Sequence, residues 1–414
     1  METDWAGTYV FRAPVVRPTD VEAVRTAVRE ATHVRALGTR HTFNGLAESP
    51  GVLLDLTALP DDVQVRDDGT VSVTAGTTYG ALARELHRHG RGLHNLGSLP
   101  HISVGGAVAT GTHGSGDALG VLATAVREVE LVDADGELRT VRRDDADGAG
   151  LLVALGSVGV VVRLVLETQP TYEVRQDVYR GLDWEVLLAD VAAVTDAAYS
   201  VSVFTDWLSP TIDQVWVKRR VASVDEAVPD ELAGARRSGS AVQIIESAED
   251  NTTQQGVAGA WSAHLPHFRI DSTPSKGDEI QTEYFVGKAD AADALRAVRA
   301  LAEEIHPHLL VTELRTIAAD RLWLSEASER ESLAIHFTFK NEPAAVQALC
   351  TRIEAALAPF APRPHWGKVH TVDAAAIADR YPRLPDFQAL RAEADPQGKF
   401  GGPALDALIG AVRA

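Results

Sequence analysis

One histidine lies in a short polar loop near the start of the chain, in the stretch RALGTRHTFNG at residues 35–45. This residue, His41, follows the apolar run HVRAL and precedes the apolar run GVLLDL, and both runs are typical of strands. An imidazole can act as a nucleophile, a proton acceptor or a metal ligand near neutral pH. A lone loop histidine is most often a hydrogen-bonded structural residue, so the loop alone leaves these uses open.

Seven of the 14 histidines lie in or near predicted loops or strand ends, namely His41, His94, His101, His113, His336, His365 and His370. A histidine metal site, as in a metal-dependent hydrolase, is one interpretation of this set. It is weakened because no H-x-x-x-H or H-E-x-x-H helical pattern occurs and because Asp and Glu are scarce in these motifs.

Small residues dominate the stretch GSLPHISVGGAVATGTHGSGDALG at residues 97–120, which holds the densest glycine cluster of the chain. Such glycines let backbone N–H groups approach an anion without obstruction, so a phosphate or pyrophosphate is the natural ligand. The stretch is not a Rossmann fingerprint, which needs a tight turn directly after the first strand, and it lacks the G-K-[ST] of a P-loop. A closely packed glycine turn is the alternative, as is a nucleotide-binding module without catalysis.

Two later motifs place charged groups among apolar residues. In VTELRTI, Glu313 and Arg315 are two positions apart, so on a strand both side chains point to one face. The motif HWGKV holds Lys368, one of only six lysines in the chain. The simplest alternative for Glu313 and Arg315 is an ion pair on one face of a strand.

The elements that must position these residues begin with a β-α-β pattern. RPTDVEAVRTAVREA predicts a capped helix and HVRAL the strand that follows it. TVSVTAG then predicts a strand, TTYGALARELHRHG a helix ending at Gly90, and REVELVDADGELRTV a hairpin. The β-rich run LGSVGVVVRLVLETQP closes this part at Pro170.

From about residue 171 the pattern changes to strands and helices separated by long polar loops, such as SAEDNTTQQGVAGA. We therefore expect three parts, with boundaries at residues 1–170, 171–369 and 370–414. The last part is helical with proline breaks, and we expect it to pack back on the first. Cys350, in the helical pattern AAVQALCTRIEAAL, is expected to be a buried apolar residue.

Composition excludes several classes of protein. The chain has 414 residues, 45% hydrophobic and 23% charged, which suits a globular protein of two domains. Its formal net charge of −19 repels nucleic acid and anionic membranes. Because no apolar stretch reaches the ~18 residues that span a bilayer and no signal-like N-terminus occurs, we expect a cytoplasmic protein without membrane contact.

The order of the motifs carries a resemblance over nearly the whole chain. ALGTRHTFN, GSLPHISVGGAVATGTHGSG, ALGSVGVVVRLVL, ELRT, HFTF, HWGKV and ADPQGKF follow one another as in the vanillyl-alcohol-oxidase-type FAD oxidases, and within them the chain resembles the alditol oxidases. The resemblance implies an α+β fold with an FAD-binding domain of the vanillyl-alcohol-oxidase (PCMH) type at residues 1–170. It also implies an α/β substrate (cap) domain at residues 171–369 and a C-terminal segment that returns to the FAD-binding domain.

FAD is the implied cofactor, and no metal is implied. The residues that match the family's cofactor-binding positions are Leu37, Gly38, Thr39, Arg40, His41, Thr42, Phe43, Ser98, Ser103, Gly106, Thr110, Gly111, Thr112, His113, Gly159 and Val161. His41 matches the histidine that alditol oxidases bond covalently to the flavin 8α-methyl group, a link that makes the flavin a stronger hydride acceptor. Two departures from the family loop flank it, since Arg40 stands where glycine is common and Thr42 where serine is commoner.

The resemblance also implies the reaction, in which a terminal primary hydroxyl of an alditol such as xylitol or sorbitol is oxidised to the aldose while O2 becomes H2O2. The residues that match an alditol pocket are Ser98, Glu313, Arg315, His336, Thr338 and Lys368. Lys368 with His336 is expected to activate the reacting hydroxyl, while Glu313 and Arg315 orient the chain. The partners are a small polyol and O2, the protein is expected to be a monomer, and a gulonolactone-type aldonolactone oxidase or dehydrogenase is the nearest alternative.

Overall fold

A parallel three-stranded sheet opens the chain, in the order β1-β3-β2. The computed structural model describes residues 2–221, 227–240, 242–244, 256–272 and 278–412. Helix α1 begins after Asp20, whose side chain accepts a hydrogen bond from the Ala23 N–H, and it buries Val24 and Val28. The predicted β-α-β opening is therefore present. Its elements are β1 (Val15–Val16), α1 (Val21–Glu30), β2 (Val34–Leu37) and β3 (Val52–Asp55).

An antiparallel five-stranded sheet follows, in the order β4-β5-β9-β7-β8, and the short strands β6 and β10 pair separately. The predicted strand, helix and hairpin of this part are all present. A short helix, α3, also forms inside the glycine-rich stretch. The elements are β4 (Val63–Val65), β5 (Thr70–Thr74), α2 (Tyr79–Arg88), β6 (Arg91–Gly92), α3 (Val104–Ala109), β7 (Val126–Val132), β8 (Leu138–Arg142), α4 (Gly148–Leu152), β9 (Val160–Glu167) and β10 (Gln169–Pro170).

A ten-stranded sheet dominates the rest of the described chain, and its pairings are antiparallel. Its order is β16-β17-β11-β15-β13-β20-β21-β19-β22, with β18 beside β11. The strands in chain order are β11 (Glu173–Arg180), β12 (Leu182–Asp183), β13 (Ser200–Thr205), β14 (Thr211–Ile212), β15 (Gln214–Arg220), β16 (Glu231–Leu232), β17 (Ala235–Arg237), β18 (Ala258–Ala260), β19 (Glu279–Gly287), β20 (Leu309–Ile317), β21 (Ser332–Lys340) and β22 (Arg363–Pro364). Of the predicted polar loop at residues 247–260, the part before residue 256 lies outside the described residues.

Helices cover one face of this sheet. Strand residues such as Val203, Leu314 and Phe337 share an apolar core with helix residues such as Leu295 and Cys350. Because side chains alternate along a strand, their neighbours in sequence point to the opposite face, which carries the polar groups described below. The helices of this part are α5 (Trp184–Ala189), α6 (Val191–Thr195), α7 (Trp261–His264), α8 (Ala291–Arg299), α9 (Ala302–Ile305) and α10 (Pro343–Leu357).

The C-terminal helices pack into the core of the first part, together with residues of α1, β2 and β9. Buried Lys399 fixes this contact, since its Nζ donates to the carbonyl oxygens of Val28 and Ala134 at 2.8 Å each. The α+β class is confirmed, while the domain boundaries at residues 170 and 369 stay predictions. The last helices are α11 (Ala374–Arg380), α12 (Leu384–Ala394) and α13 (Pro403–Ile409). Across the described residues, every helix is too short or too polar to cross a bilayer.

Candidate active site

A continuous cavity of about 290 Å³ connects the first part of the chain with the polar face of the ten-stranded sheet. Its walls include the loop after β2, helix α3 and the start of β9 on one side. Strands β19, β20 and β21 and the HWGKV motif provide the walls on the other side. Nearly all of the residues predicted to serve cofactor or substrate therefore line one space.

Glycines bring the β2 loop and helix α3 into contact. A Cβ on Gly38 would lie 2.4 Å from the Ser103 hydroxyl oxygen, so this approach requires glycine. The Ser103 N–H donates to the Thr39 hydroxyl at 3.1 Å, which joins the two segments. Gly106 lines the cavity. A Cβ added there would meet only the Ser103 hydroxyl oxygen, at 2.9 Å.

Two of the predicted cofactor residues lie outside the cavity lining. Phe43 is buried, and its N–H donates to the Gly367 carbonyl oxygen at 2.7 Å. Gly111 has a φ of +69°, and a Cβ there would lie 2.1 Å from a carboxylate oxygen of Glu326. Glycine is needed at this position for its left-handed backbone and for that approach. The predicted cofactor residues that do line the cavity are Leu37, Gly38, Thr39, Arg40, His41, Thr42, Ser98, Ser103, Gly106, Thr110, Thr112, His113, Gly159 and Val161.

His41 lines the cavity with an imidazole that makes no hydrogen bond of normal geometry to any described residue. Burial lowers the pKa of His41 to about 4, so the ring is neutral at pH 7 and keeps a free nitrogen lone pair. Trp5 stacks on this ring, with the ring centroids 4.5 Å apart and the planes inclined by 21°. The stack holds a neutral, nucleophilic imidazole at the cavity wall.

Arg40 explains why glycine suits the position before the histidine. Its φ is +63°, in the left-handed region that glycine adopts without cost and other residues rarely do. The Arg40 side chain lies 2.5 Å from a carboxylate oxygen of Glu2 and 3.8 Å from one of Asp55. These two ion pairs, from different segments, hold the loop in the strained conformation.

Strand register gathers the acid and base groups at the other wall. His336 on β21 lies directly opposite Glu313 on β20 and opposite Glu283 on β19. Arg315 and Thr338 lie two positions further along their strands, on the same face, and both line the cavity. The predicted same-face placement of Glu313 and Arg315 is therefore present.

Glu283 links the cations of the site. One of its carboxylate oxygens lies 2.6 Å from Arg315 Nη2 and 3.4 Å from His113 Nε2, and the other lies 2.7 Å from Lys368 Nζ. Burial opposes its ionisation, but Lys368 and Arg315 outweigh burial and hold the pKa of Glu283 well below its usual range. Burial in turn lowers the pKa of Lys368, and Glu283 opposes that shift. The pair therefore places an ammonium N–H donor at the cavity wall.

His336 offers the site a neutral base. Burial lowers its pKa to about 4, and neither ring nitrogen makes a hydrogen bond to a described residue, although Nδ1 lies 3.8 Å from a Glu313 oxygen. Burial also opposes the ionisation of Glu313, yet Arg315 and His267 keep the pKa of Glu313 well below its usual range. The Lys368 ammonium group, the neutral His336 imidazole and the ionised Glu313 carboxylate thus face one cavity. Together they provide a hydrogen-bond donor and proton acceptors for the deprotonation of a hydroxyl group.

Sequence reasoning missed Glu283, His267 and Lys218 in this site. Glu283 alternates with Gln281 in EIQTEYFVG, a period-two pattern that predicts a shared face, and Lys218 is one of the six lysines. His267 carries no comparable signal, because it follows a helix in an irregular segment.

Comparison with known proteins identifies the family. Residues 13–142 match the family model described as FAD binding domain, and residues 274–408 match that of D-arabinono-1,4-lactone oxidase. An alditol oxidase from Streptomyces sp. (strain IKD472) is 45% identical over 98% of each chain. The chain belongs to the alditol oxidase family. This alditol oxidase family member is an FAD-dependent oxidoreductase, as the motif order implied.

Two more distant proteins match over nearly the whole chain of this alditol oxidase family member. An L-gulono-1,4-lactone dehydrogenase from Mycobacterium tuberculosis is 26% identical over 96% of each chain. The crystal structure of cholesterol oxidase from B. sterolicum matches with a TM-score of 0.78 at 16% identity, covering 98% of this chain and 96% of that one. This last likeness concerns the fold alone.

The residues present fit FAD. The glycines at positions 38 and 106 keep side chains away from the junction of the β2 loop and α3, which leaves backbone groups accessible to a pyrophosphate. His41 supplies an unbonded nitrogen in the same cavity, as a covalent flavin link requires. The lining also includes the acid-base groups at the sheet, so one extended ligand can contact both sets.

Proposed function

We propose that this enzyme oxidises the terminal primary hydroxyl of alditols, with xylitol and sorbitol as good substrates, to the aldose and reduces O2 to H2O2. The observation that carries the proposal is the set of buried donors and acceptors on one sheet face, in the cavity that also holds His41. A polyol has a hydroxyl on every carbon, so its pocket must offer polar partners along the whole molecule. The name of the Streptomyces relative supports the same substrate class.

FAD, when bound, supplies the two-electron acceptor that takes a hydride from the alcohol carbon and passes the electrons to O2. We infer that it is attached covalently through His41. Support comes from the imidazole, which burial keeps neutral and whose nitrogens make no hydrogen bond of normal geometry to the described residues. The stacked Trp5 limits rotation of the ring.

The protein groups act on the substrate proton. Lys368, held as an ammonium by Glu283, donates to the oxygen of the reacting hydroxyl and stabilises negative charge there. His336, neutral at physiological pH, takes the proton. Deprotonation at oxygen raises the electron density on the adjacent carbon, which favours loss of its hydride.

The remaining polar groups orient the carbon chain. Glu313 accepts hydrogen bonds and Arg315 donates them, so together they can bind neighbouring hydroxyl groups of a polyol. Arg315 Nη1 also donates to the Ser98 hydroxyl at 3.3 Å, which ties a third polar group to the same wall. Thr338 adds a hydroxyl beside them.

The enzyme is further proposed to act as a cytoplasmic monomer. The single cysteine, Cys350, is buried and free, as suits a reducing compartment.

Aldonolactone oxidation is the second candidate function. It is favoured by the D-arabinono-1,4-lactone oxidase model that matches residues 274–408 and by the M. tuberculosis relative. A panel of polyols, sugars and lactones, assayed for H2O2 with the purified holoenzyme, separates the two. Polyols are expected to give the highest kcat/KM, whereas a lactone preference would favour the second candidate.

A further inference from the structure

A buried lysine and histidine lie directly behind Glu313. His267 Nε2 is 2.5 Å from one carboxylate oxygen of Glu313, and His267 Nδ1 is 3.0 Å from Lys218 Nζ. Lys218 is 1% exposed and His267 is 5% exposed, so solvent cannot replace either contact. Neither residue is needed for the proton transfer proposed above.

The contacts of Lys218 determine which nitrogen of His267 carries the proton. An ammonium group has three N–H donors and no acceptor. Lys218 Nζ has three acceptors around it, the carbonyl oxygens of Leu265 at 2.6 Å and Pro266 at 3.0 Å and His267 Nδ1 at 3.0 Å. His267 Nδ1 must then be unprotonated, so the proton lies on Nε2 and is donated to Glu313.

Electrostatics agree with this arrangement. Burial lowers the pKa of His267 to about 4, so the ring is neutral and has a single N–H. Burial lowers the pKa of Lys218 to about 7, while the charge of Glu313 favours the ammonium form. Ser202 Oγ lies 3.3 Å from His267 Nε2 and is a longer, second acceptor for the same N–H.

The segment Leu265–Phe268, which contains His267, also positions Ser98, another residue of the cavity wall. The backbone N–H groups of His267 and Phe268 both donate to the Ser98 carbonyl oxygen, at 3.2 Å each. A shift of the segment Leu265–Phe268 would therefore move Ser98 and release Glu313 together.

We propose that Lys218 and His267 are positioning residues, in which Lys218 fixes the tautomer of His267 and His267 holds Glu313 ionised and correctly oriented to bind a hydroxyl group of the polyol. This inference rests on the proposed function, because it assigns Glu313 to substrate binding. One carboxylate oxygen of Glu313 accepts the hydrogen bond from His267 Nε2. The other carboxylate oxygen, which is 3.6 Å from Arg315 Nε, can then bind the substrate hydroxyl group.

Variants of His267 test whether its N–H is what matters. His267→Gln can keep an N–H donor near the Nε2 position, whereas His267→Leu removes it. We expect His267→Leu to raise the KM for xylitol by about 10-fold or more, the scale of a lost hydrogen bond to a charged group, while kcat changes less. His267→Gln should restore most of the affinity, and flavin content and Tm are measured for both variants.

The pH profile separates positioning from mere packing. The other groups around Glu313 are Arg315, His336 and Lys218. Between about pH 5 and 6 they keep their protonation states, because the pKa of His336 is about 4 and that of Lys218 is about 7. The wild-type KM for xylitol should be flat there, because Glu313 stays ionised. In His267→Leu the pKa of Glu313 rises, so affinity should fall as pH is lowered from about 6 to 5.

A double-mutant cycle tests the role of Lys218. If Lys218 acts through His267, Lys218→Met should raise KM in the wild type but add little in the His267→Leu background. Additive effects of the two substitutions, or a wild-type KM and pH profile in folded, flavin-loaded His267→Leu, would overturn the proposal.

One measurement on the wild-type holoenzyme needs no variant to be active. The nitrogen-15 chemical shifts of His267 at about pH 6, below the pKa of Lys218, report its tautomer, with the signal assigned from its loss in His267→Gln. The Nε2-protonated form is expected, and the Nδ1-protonated form would contradict the arrangement. If the wild type oxidised no polyol, the proposed function would fail while this measurement still decided the tautomer.

Discussion

His41 is a half-buried residue whose two ring nitrogens are buried, and its surroundings leave the imidazole neutral and without a hydrogen bond of normal geometry to the described residues. A nitrogen in that state has its lone pair available for bonding to a flavin carbon. At the scale of single residues, the site thus consists of groups held in one protonation state by burial and by charged partners. His41 and His336 are neutral, whereas Glu283 and Glu313 are ionised.

The first residue-scale prediction concerns the covalent link. Protein precipitated with acid should stay yellow, and its band in a denaturing gel should fluoresce under ultraviolet light. His41→Ala should release all flavin into the acid supernatant while still binding FAD, because the glycine junction at Gly38 and Gly106 is unchanged. His89→Ala, at a residue whose side chain is 54% exposed, is the matched control and should keep the link. Release of all flavin from the wild type would show that the link is absent.

The second residue-scale prediction concerns Lys368. Lys368→Met removes the ammonium beside Glu283 and should slow flavin bleaching on anaerobic mixing with xylitol by roughly 100-fold, the scale of a lost acid-base group. Reoxidation by O2 should change far less, since that step does not involve the substrate hydroxyl. Lys340→Met, at an exposed lysine, is the control and should behave as wild type. If flavin bleaching in Lys368→Met were as fast as in the wild type, Lys368 would have only a structural role. His336 alone would then activate the hydroxyl group.

Among the secondary-structure elements, the period-two alternation of side chains along the strands determines which residues face the cavity. On β20 and β21 it turns Leu314 and Phe337 toward the helix-covered core and Glu313 and His336 toward the cavity. This much could be predicted from the motifs VTELRTI and HFTF. The positions of Glu283 and His267 could not, because they depend on which strands become neighbours and on an irregular segment after α7.

The glycine-rich stretch provides an element-scale prediction with two different outcomes. Gly106→Val should give folded protein with little flavin, because the added Cβ meets only the Ser103 hydroxyl oxygen and the side chain occupies space at the cavity wall that Gly106 lines. Gly111→Ala should instead lower Tm, because its left-handed backbone costs about 1–2 kcal/mol and its Cβ meets Glu326. Gly90→Ala is the control for backbone strain alone, since its φ is +68° and a Cβ there meets nothing within 4 Å.

Thermal unfolding and flavin absorbance, measured on the three variants, separate these effects. The drop in Tm should be larger for Gly111→Ala than for Gly90→Ala. Full flavin occupancy in Gly106→Val would remove Gly106 from the cofactor site.

At the scale of the whole molecule, the site exists only where distant parts of the chain meet. Residues near positions 40, 105, 160, 315 and 368 line one cavity, and the C-terminal helices close the core behind the FAD-binding part. The local elements could be predicted because secondary-structure propensity depends on nearby residues. The family could be predicted because its motifs follow one another in a fixed order along the chain. The network around Glu283 could not, since its partners Lys368 and Arg315 are 85 and 32 positions away in sequence.

Oxidation at the terminal carbon of a polyol is the reaction that we propose for this enzyme. Carbon-13 NMR of the products formed from xylitol under air, with H2O2 measured in the same sample, tests it most directly. We expect the hemiacetal carbon signals of an aldose, formed in equimolar amount with H2O2. The ketone carbon signal of a ketose, or the absence of any product from xylitol while a lactone is oxidised, would contradict it.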